Sequence, residues 1–190
     1  KKCSELIEYC HHQSKKKMKY WKKNKSGFFF TFDVMPSKVK TDRIFREFNL
    51  GKKYTDNSQL ITEIIKFQND YILKTKKNKK IYKKIQVIHY PKGGGFFAEH
   101  KHQRYPTNYG VILTLSEKFN HFDQGVTNFK CKGKNINLER FNVTAGDLIL
   151  FRYDLPHKIT PCDPKEDLIF DLKGRWTLIF PVHYKNMWQY

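Results

Sequence analysis

The chain has 190 residues, of which 39% are hydrophobic and 16% aromatic, enough apolar side chains to bury one sizeable core. Its formal charge of +19 comes from 31 Lys and 6 Arg against 18 Asp+Glu. A surface that reads phosphates or base edges uses the planar Arg fork more freely, so the excess of Lys speaks for compositional bias and against a nucleic-acid partner.

Cys3, Cys10, Cys131 and Cys162 form no CxxC pair and are too few for a disulfide scaffold, which points to a reducing, cytoplasmic setting. No apolar run reaches the ~20 residues that a membrane helix needs. Residues 1–26 read as a basic arm, a short helix followed by a solvated stretch in which Lys15-Lys16-Lys17 and Lys22-Lys23 flank Tyr20 and Trp21. Residues 27–190 read as a single domain, with helical support over about 36–80 and a strand-rich core over about 81–184. Phe28 to Val34 is a β-rich run, while Val39, Ile44, Phe45 and Phe48 fall at spacings that fit a helix face over 37–48. Asp56 with Gln59 three residues on is a capping-box signal for the next helix. Leu60, Ile61, Ile64, Ile65, Tyr71 and Ile72 mark its apolar face, and the Lys-rich stretch 75–80 ends it.

From Ile81 the pattern changes to short β-branched and aromatic runs separated by Gly, Pro, Asn and Asp. Strands are expected at 85–90, 96–100, 111–115, 126–130, 148–151 and 177–182. Phe96, Phe97, Leu148, Ile149, Leu150, Ile179 and Phe180 are expected in the core. Several short strands after a few helices make an antiparallel sandwich or barrel with helices on one side, an α+β fold that is mainly β.

Six of the eight histidines fall in the β-rich part. In a strand, residues i and i+2 share a face, so His100 and His102 would present two imidazoles to one side. Tyr90-Pro91-Lys92-Gly93-Gly94-Gly95 leads into that strand. Downstream, Gly146-Asp147-Leu148-Ile149-Leu150-Phe151 turns into what reads as a buried strand, with Pro156-His157 soon after. Gly174-Arg175-Trp176-Thr177 then opens the last strand with one of the few arginines. His89, His121 and His183 read as structural or solvent-bonded.

This ordered series resembles the iron(II)- and 2-oxoglutarate-dependent oxygenases, the prolyl-hydroxylase-like branch in particular, over about residues 85–183. Tyr90 to His102 is similar to the family's lead-in to its first ligand pair, and Gln124-Gly125-Val126-Thr127-Asn128-Phe129 to its Gly-Gly-x-Thr-x-Phe segment. Gly146 to His157 is similar to its Gly-Asp-x-Leu-x-Phe…His turn, and Arg175-Trp176-Thr177 to its Arg-x-Ser/Thr end. The resemblance implies a double-stranded β-helix, a jelly roll backed by N-terminal helices. It also implies a non-haem dioxygenase using Fe(II), 2-oxoglutarate and O2, with ascorbate as an accessory reductant. His100, His102 and His157 would hold the metal, and no further catalytic residue is implied. Arg175 would pair with the C5 carboxylate of 2-oxoglutarate, with Thr177, Tyr90 and Thr114 as further contacts. One position departs from the family, which has Asp or Glu where this chain has His102. Three readings stay open there: His102 ligates, a carboxylate such as Glu99 or Asp123 replaces it, or the position is vacant.

The segment 158–173 carries Asp163, Glu166, Asp167 and Asp171 and reads as an acidic lid. With Arg104 and Asn128 as substrate contacts, it suggests a small, amino-acid-like substrate oxidised at an unactivated C–H bond. The alternatives are a hydroxylase of prolyl or lysyl residues in a protein and, from another class, a basic nucleic-acid-binding β-sandwich without catalysis. The sequence does not fix the oligomeric state.

Overall fold

The structure is a computed structural model that describes residues 1–16, 23–24, 27–32, 43–72, 81–83, 85–102 and 108–184. The expectations placed on Tyr20, Trp21, Val39 and Arg104 lie outside the described residues. In chain order the elements are α1 (Lys2–Lys16), β1 (Lys23–Asn24), β2 (Gly27–Phe32), β3 (Arg43–Asn49), α2 (Lys52–Asn57) and α3 (Gln59–Phe67), which runs into a π-helical turn (Gln68–Ile72). Then follow β4 (Ile81–Lys83), β5 (Gln86–Tyr90), β6 (Gly95–His100), β7 (Tyr109–Thr114), β8 (Thr127–Cys131), β9 (Lys134–Asn137), a 3-10 turn (Leu138–Phe141), β10 (Leu148–Arg152), β11 (His157–Cys162), β12 (Arg175–Ile179) and β13 (Val182–Tyr184).

The strands curl into one long path, β10-β7-β12-β5-β3-β6-β11-β8-β9, antiparallel throughout. Strand β3 joins the two halves of the roll, because Arg46 to Asn49 pair with β5 while Arg43 and Ile44 pair with β6. This is a jelly-roll double-stranded β-helix. The period of two along β12 decides what each face does. Trp176 and Leu178 point to the helix-covered side, where they pack with Leu6, Ile7, Cys10, Phe48, Ile61, Ile64, Val87, Val111 and Leu113. Arg175, Thr177 and Ile179 point to the other side, the interior of the roll.

Four local expectations change in the structure. The stretch Arg43–Asn49 is a strand, not part of a helix: Phe45 and Phe48, read as one helical stripe, lie on opposite sides of a ribbon buried on both faces. Helix α3 is capped by Ser58, whose hydroxyl accepts the Ile61 N–H, and Asp56 instead sits in the last turn of α2. The N-terminal helix is no detached arm, since Leu6 and Ile7 are each only 2% exposed in the main core. Leu148 and Leu150 are exposed at 38% and 49%. They stand opposite Leu113 and Val111, but β10 ends the sheet path, and only Ile149 and Phe151 on its other side pack inward.

The acidic segment is strapped down rather than free to close. Asp163 is buried, accepts the amides of Asp123 and Gln124 at 2.9 and 2.6 Å, and faces Lys92, which also pairs with Glu166 at 2.9 Å. Farther along, the buried Arg46 donates to the carbonyls of Phe170 and Asp171, at 3.4 and 2.8 Å, and the Trp176 indole donates to the Leu172 carbonyl at 3.0 Å. Arg46 Nε also donates to His89 Nδ1 at 2.7 Å, so His89 carries its proton on Nε2 and donates to the Lys173 carbonyl. His89 is a structural histidine, as expected, stacked on Trp176 at 4.0 Å.

Two outcomes test this packing. Leu6→Ala should lower unfolding free energy by about 2–5 kcal/mol in chemical denaturation, whereas a side chain on a solvated arm would change it by less than about 0.5. Burial and the neighbouring Arg46 hold His89 well below the ordinary histidine range. The unfolded chain therefore takes up a proton that the folded protein refuses. Stability of the metal-free protein should be full above about pH 6.5 and fall by about 1.4 kcal/mol per pH unit for each such histidine as the pH drops below it. A denaturation series from pH 7.5 to 5 that is flat would overturn that reading.

Candidate active site

Strands β6 and β11 bring the first two histidines together. His100 lies opposite His157 and Phe97 opposite Ile159, so two residues of β6, Ala98 and Glu99, face one of β11, Lys158, and the ladder bulges between them. The extra residue turns Phe97 and His100 to the same side as His157 and Ile159. Phe97 stacks on the His100 ring at 3.8 Å, and Phe151 and Phe129 flank His157 at 5.0 and 5.5 Å.

His102 arrives by another route than strand alternation, because β6 ends at His100. Its backbone N–H donates to the Tyr153 carbonyl at 2.8 Å, and its ring lies 5.1 Å from the Tyr153 ring. Tyr153 in turn is buried over Gly110, where a Cβ would fall 2.3 Å from one of its ring carbons and 2.6 Å from Phe151. Only glycine lets both rings approach the β7 backbone so closely. One ligand atom from each of His100, His102 and His157 lies within 4.8 Å of the others, and no Asp or Glu among the described residues joins them.

Two of the rings are oriented by their own backbone. His100 Nδ1 lies 2.8 Å from the Ala98 carbonyl and His157 Nδ1 2.9 Å from the Leu155 carbonyl. A neutral imidazole that donates from Nδ1 keeps its lone pair on Nε2, which is the form a metal takes. Burial, reinforced by nearby His100 and opposed by the Leu155 carbonyl, pulls His157 down to about 4, so it is neutral at pH 7. Three imidazoles converging in this way suit a first-row transition ion such as iron, cobalt or zinc.

On the neighbouring interior wall the strand register gathers the other candidates. Arg175 stands opposite Tyr90, and Thr177 stands opposite Thr114 on one side and Ile88 on the other. All four of Tyr90, Thr114, Arg175 and Thr177 are buried, which excludes a surface role for Arg175. Arg175 Nη2 donates to Thr127 Oγ1, while Arg175 Nη1 and Thr114 Oγ1 are buried with no hydrogen-bond partner in the protein. Burial lowers the Arg175 guanidinium, and Tyr90 and Cys162 nearby oppose that shift. An unpaired buried polar atom costs about 1–3 kcal/mol, more when it is charged. A wall that presents a guanidinium N–H and a hydroxyl is chemically fitted to a carboxylate.

The other candidates are placed elsewhere. Glu99 is exposed beside His100, and Asp123 gathers with Asp163 and Glu166 around Lys92. Neither carboxylate reaches the histidines. Asn128 lies between Thr127 and Phe129, which are buried, and pairs across the ladder with Lys158 and Asn137; alternation turns it away from the interior. His121 serves structure, its Nδ1 accepting the Glu117 N–H. Sequence reasoning assigned no role to Thr127 or Tyr153. Thr127 stood in the quoted Gly-x-Thr-x-Phe segment, whereas Tyr153 carried no signal beyond being an aromatic between strand and ligand.

No protein-family model matches the chain, and no curated protein matches it. Solved structures do. A prolyl-4-hydroxylase from Pseudomonas putida aligns with a TM-score of 0.61 at 15% identity, covering 94% of this chain and 84% of its own. A prolyl hydroxylase from Trichoplax adhaerens, in complex with a peptide fragment of the hypoxia inducible factor oxygen degradation domain, aligns with a TM-score of 0.53 at 15% identity, covering 95% and 77%. At that identity the likeness establishes the fold, the double-stranded β-helix on which the histidines and Arg175 are mounted.

Proposed function

We propose that the chain is an iron(II)- and 2-oxoglutarate-dependent oxygenase that oxidises an unactivated C–H bond. The observation that carries this reading is the buried Arg175, half satisfied by Thr127, facing the same interior as three converging imidazoles. His100, His102 and His157 would hold the metal, and Arg175 would receive the C5 carboxylate through Nη1. Thr114 and Thr177 on the same wall would offer hydroxyls, with Tyr90 beside them. When bound, iron and 2-oxoglutarate supply the oxidising power: the net reaction consumes O2, yields succinate and CO2, and places the remaining oxygen atom on the substrate carbon.

The protein's own contribution is to bind, orient and exclude water. The Ala98 and Leu155 carbonyls hold two ligand rings in one tautomer, and the Phe97, Phe129 and Phe151 rings line that side with apolar surface. Arg175 fixes the far end of a dicarboxylate so that its other end is presented to the metal. Nothing here requires a side chain that gains or loses a proton in turnover.

The expectation of a small amino-acid substrate leaned on an acidic lid, and two of its acids, Asp163 and Glu166, are tied into the strapped loop. A protein-residue substrate is the second reading, favoured by the peptide held by the Trichoplax enzyme on the same fold. Succinate formation stimulated by proline-containing or lysine-containing peptides, and not by free amino acids, would select it.

Anaerobic addition of Fe(II) and 2-oxoglutarate should produce the weak visible charge-transfer band of the chelated cosubstrate, lost in His100→Ala and His157→Ala. Arg175→Leu should keep Fe(II) and raise the 2-oxoglutarate Kd by roughly 30-fold or more. No band in folded wild-type protein at saturating Fe(II) would sink the proposal. Tyr153→Ala and Gly110→Val should each weaken Co(II) binding by about 10–100-fold through His102, and neither should add to His102→Ala in a double-mutant cycle. Full additivity would mean that Tyr153 does not position that ring.

A further inference from the structure

We infer that Arg46 and His89, on the helix-covered face of the sheet, are positioning residues for Arg175, so that the interior wall's affinity for a carboxylate is set from within the core. The inference deepens the reading of the site given above and rests on it. Its ground is the run of backbone that leads into β12. Residues 170–174 belong to no strand, yet four successive carbonyls of that run each accept a hydrogen bond from a side chain. Arg46 donates to Phe170 and Asp171, at 3.4 and 2.8 Å, the Trp176 indole to Leu172 at 3.0 Å, and His89 Nε2 to Lys173 at 2.7 Å. All three donors are buried and they hold one another. Arg46 Nε donates to His89 Nδ1 at 2.7 Å, and the His89 ring stacks on Trp176. Gly174 closes the run with a φ of +106°, and a Cβ there would stand 2.7 Å from His89 Nε2 and 2.5 Å from the Tyr90 carbonyl oxygen. The chain therefore passes directly against this latch in the residue before Arg175.

Arg175 is the first residue of β12, and the end of a strand frays unless something outside the ladder holds it. Pairing with Tyr90 holds the strand side, and the four carbonyls hold the approach. The guanidinium is thus aimed by its backbone at the root and by Thr127 at the tip, where Nη2 donates to Oγ1. Freeing the carbonyls would let the root shift while Thr127 kept the tip, and Nη1 would no longer meet a carboxylate in one fixed geometry. Such alignment is sensitive, since a displacement of about 1 Å made far from the chemistry costs up to about 100-fold. Linkage makes the effect reciprocal: a carboxylate held by Arg175 holds the run 170–174 in place.

The test is anaerobic calorimetric titration of 2-oxoglutarate into Co(II)-loaded wild type, Arg46→Lys, His89→Phe and His89→Gln, with Co(II) affinity measured separately in the absence of 2-oxoglutarate. Arg46→Lys keeps the charge and loses the fork that spans two carbonyls. His89→Phe keeps the stacking ring and loses both hydrogen bonds, whereas His89→Gln restores a donor and an acceptor. Arg46→Lys and His89→Phe should each raise the 2-oxoglutarate Kd by roughly tenfold while leaving Co(II) affinity within about twofold, and His89→Gln should recover most of the loss. A second measurement needs no variant. Saturating 2-oxoglutarate should slow hydrogen exchange at the wild-type Gly174 N–H, which donates to the His121 carbonyl, by about tenfold. An unchanged Kd in folded variants, no slowing at Gly174, or equal weakening of Co(II) and 2-oxoglutarate would overturn the inference while leaving the carboxylate site in place. Wild type that binds no 2-oxoglutarate, or binding that Arg175→Leu leaves intact, would instead overturn the reading of the site, and the inference with it.

Discussion

Strand β12 is buried on both faces, and its two sides face different chemistry. On one side Trp176 and Leu178 lie in the apolar core beneath α1 and α3; on the other Arg175 and Thr177 face the interior. The period of two makes these assignments inseparable, since a slip of one residue would bury Arg175 under the helices and expose the indole to the site. Pairing with β5 and β7 fixes the register by placing Arg175 opposite Tyr90 and Thr177 opposite Thr114. Core packing by Trp176 and the burial of Arg175 against the interior are therefore one constraint read from opposite sides of a ribbon.

The histidine side depends on an irregularity where the Arg175 side depends on regularity. A straight β6–β11 ladder could not put both Phe97 and His100 on the inner face, because they are three residues apart. The bulge supplies the odd residue, and the strand ends immediately after, freeing the chain to swing His102 against Tyr153. Bulges re-aim side chains in this way at the rims of barrels. The cost is a histidine held by a neighbouring turn rather than by the sheet, which is why Gly110 and Tyr153 matter to a residue they do not adjoin in sequence.

Much of this was legible in the sequence where spacing alone carries the physics. The glycine turns, the strand at β5 and the second helix face from Leu60 to Ile65 all follow from local pattern, whereas the burial of Arg175 was expected only through the resemblance. What escaped depends on tertiary context. Phe45 and Phe48 satisfy a helical and an extended reading equally, and only pairing with β5 and β6 selects the strand. Leu148 and Leu150 are apolar enough for a core yet belong to the strand that ends the sheet path. The acids of the 163–171 segment look like a recognition surface in sequence, and nothing in their own spacing reveals that Lys92 sits among them and that Arg46 grips the nearby backbone. Alternation along a strand was expected to bring His100 and His102 to one side, whereas here His102 lies past the end of β6 and comes near His100 and His157 by the turn and the bulge.

Two buried arginines in one small protein allow a comparison that bears on what the site is for. Arg46 gives its hydrogen bonds to His89, Phe170 and Asp171 and lies over the Phe48, Phe170 and Trp176 rings, so its cation is absorbed by carbonyls, an imidazole and aromatic faces. Arg175 has Thr127, and its second terminal nitrogen is left facing the interior with no acceptor. The fold is able to satisfy a buried guanidinium, as Arg46 demonstrates, and at Arg175 it does so on one side only. A cation kept half satisfied beside an equally unpaired Thr114 hydroxyl is a standing cost to stability. Such a cost would be offset by an acceptor that reached Arg175 Nη1 and a donor or acceptor that reached Thr114 Oγ1 from within the roll.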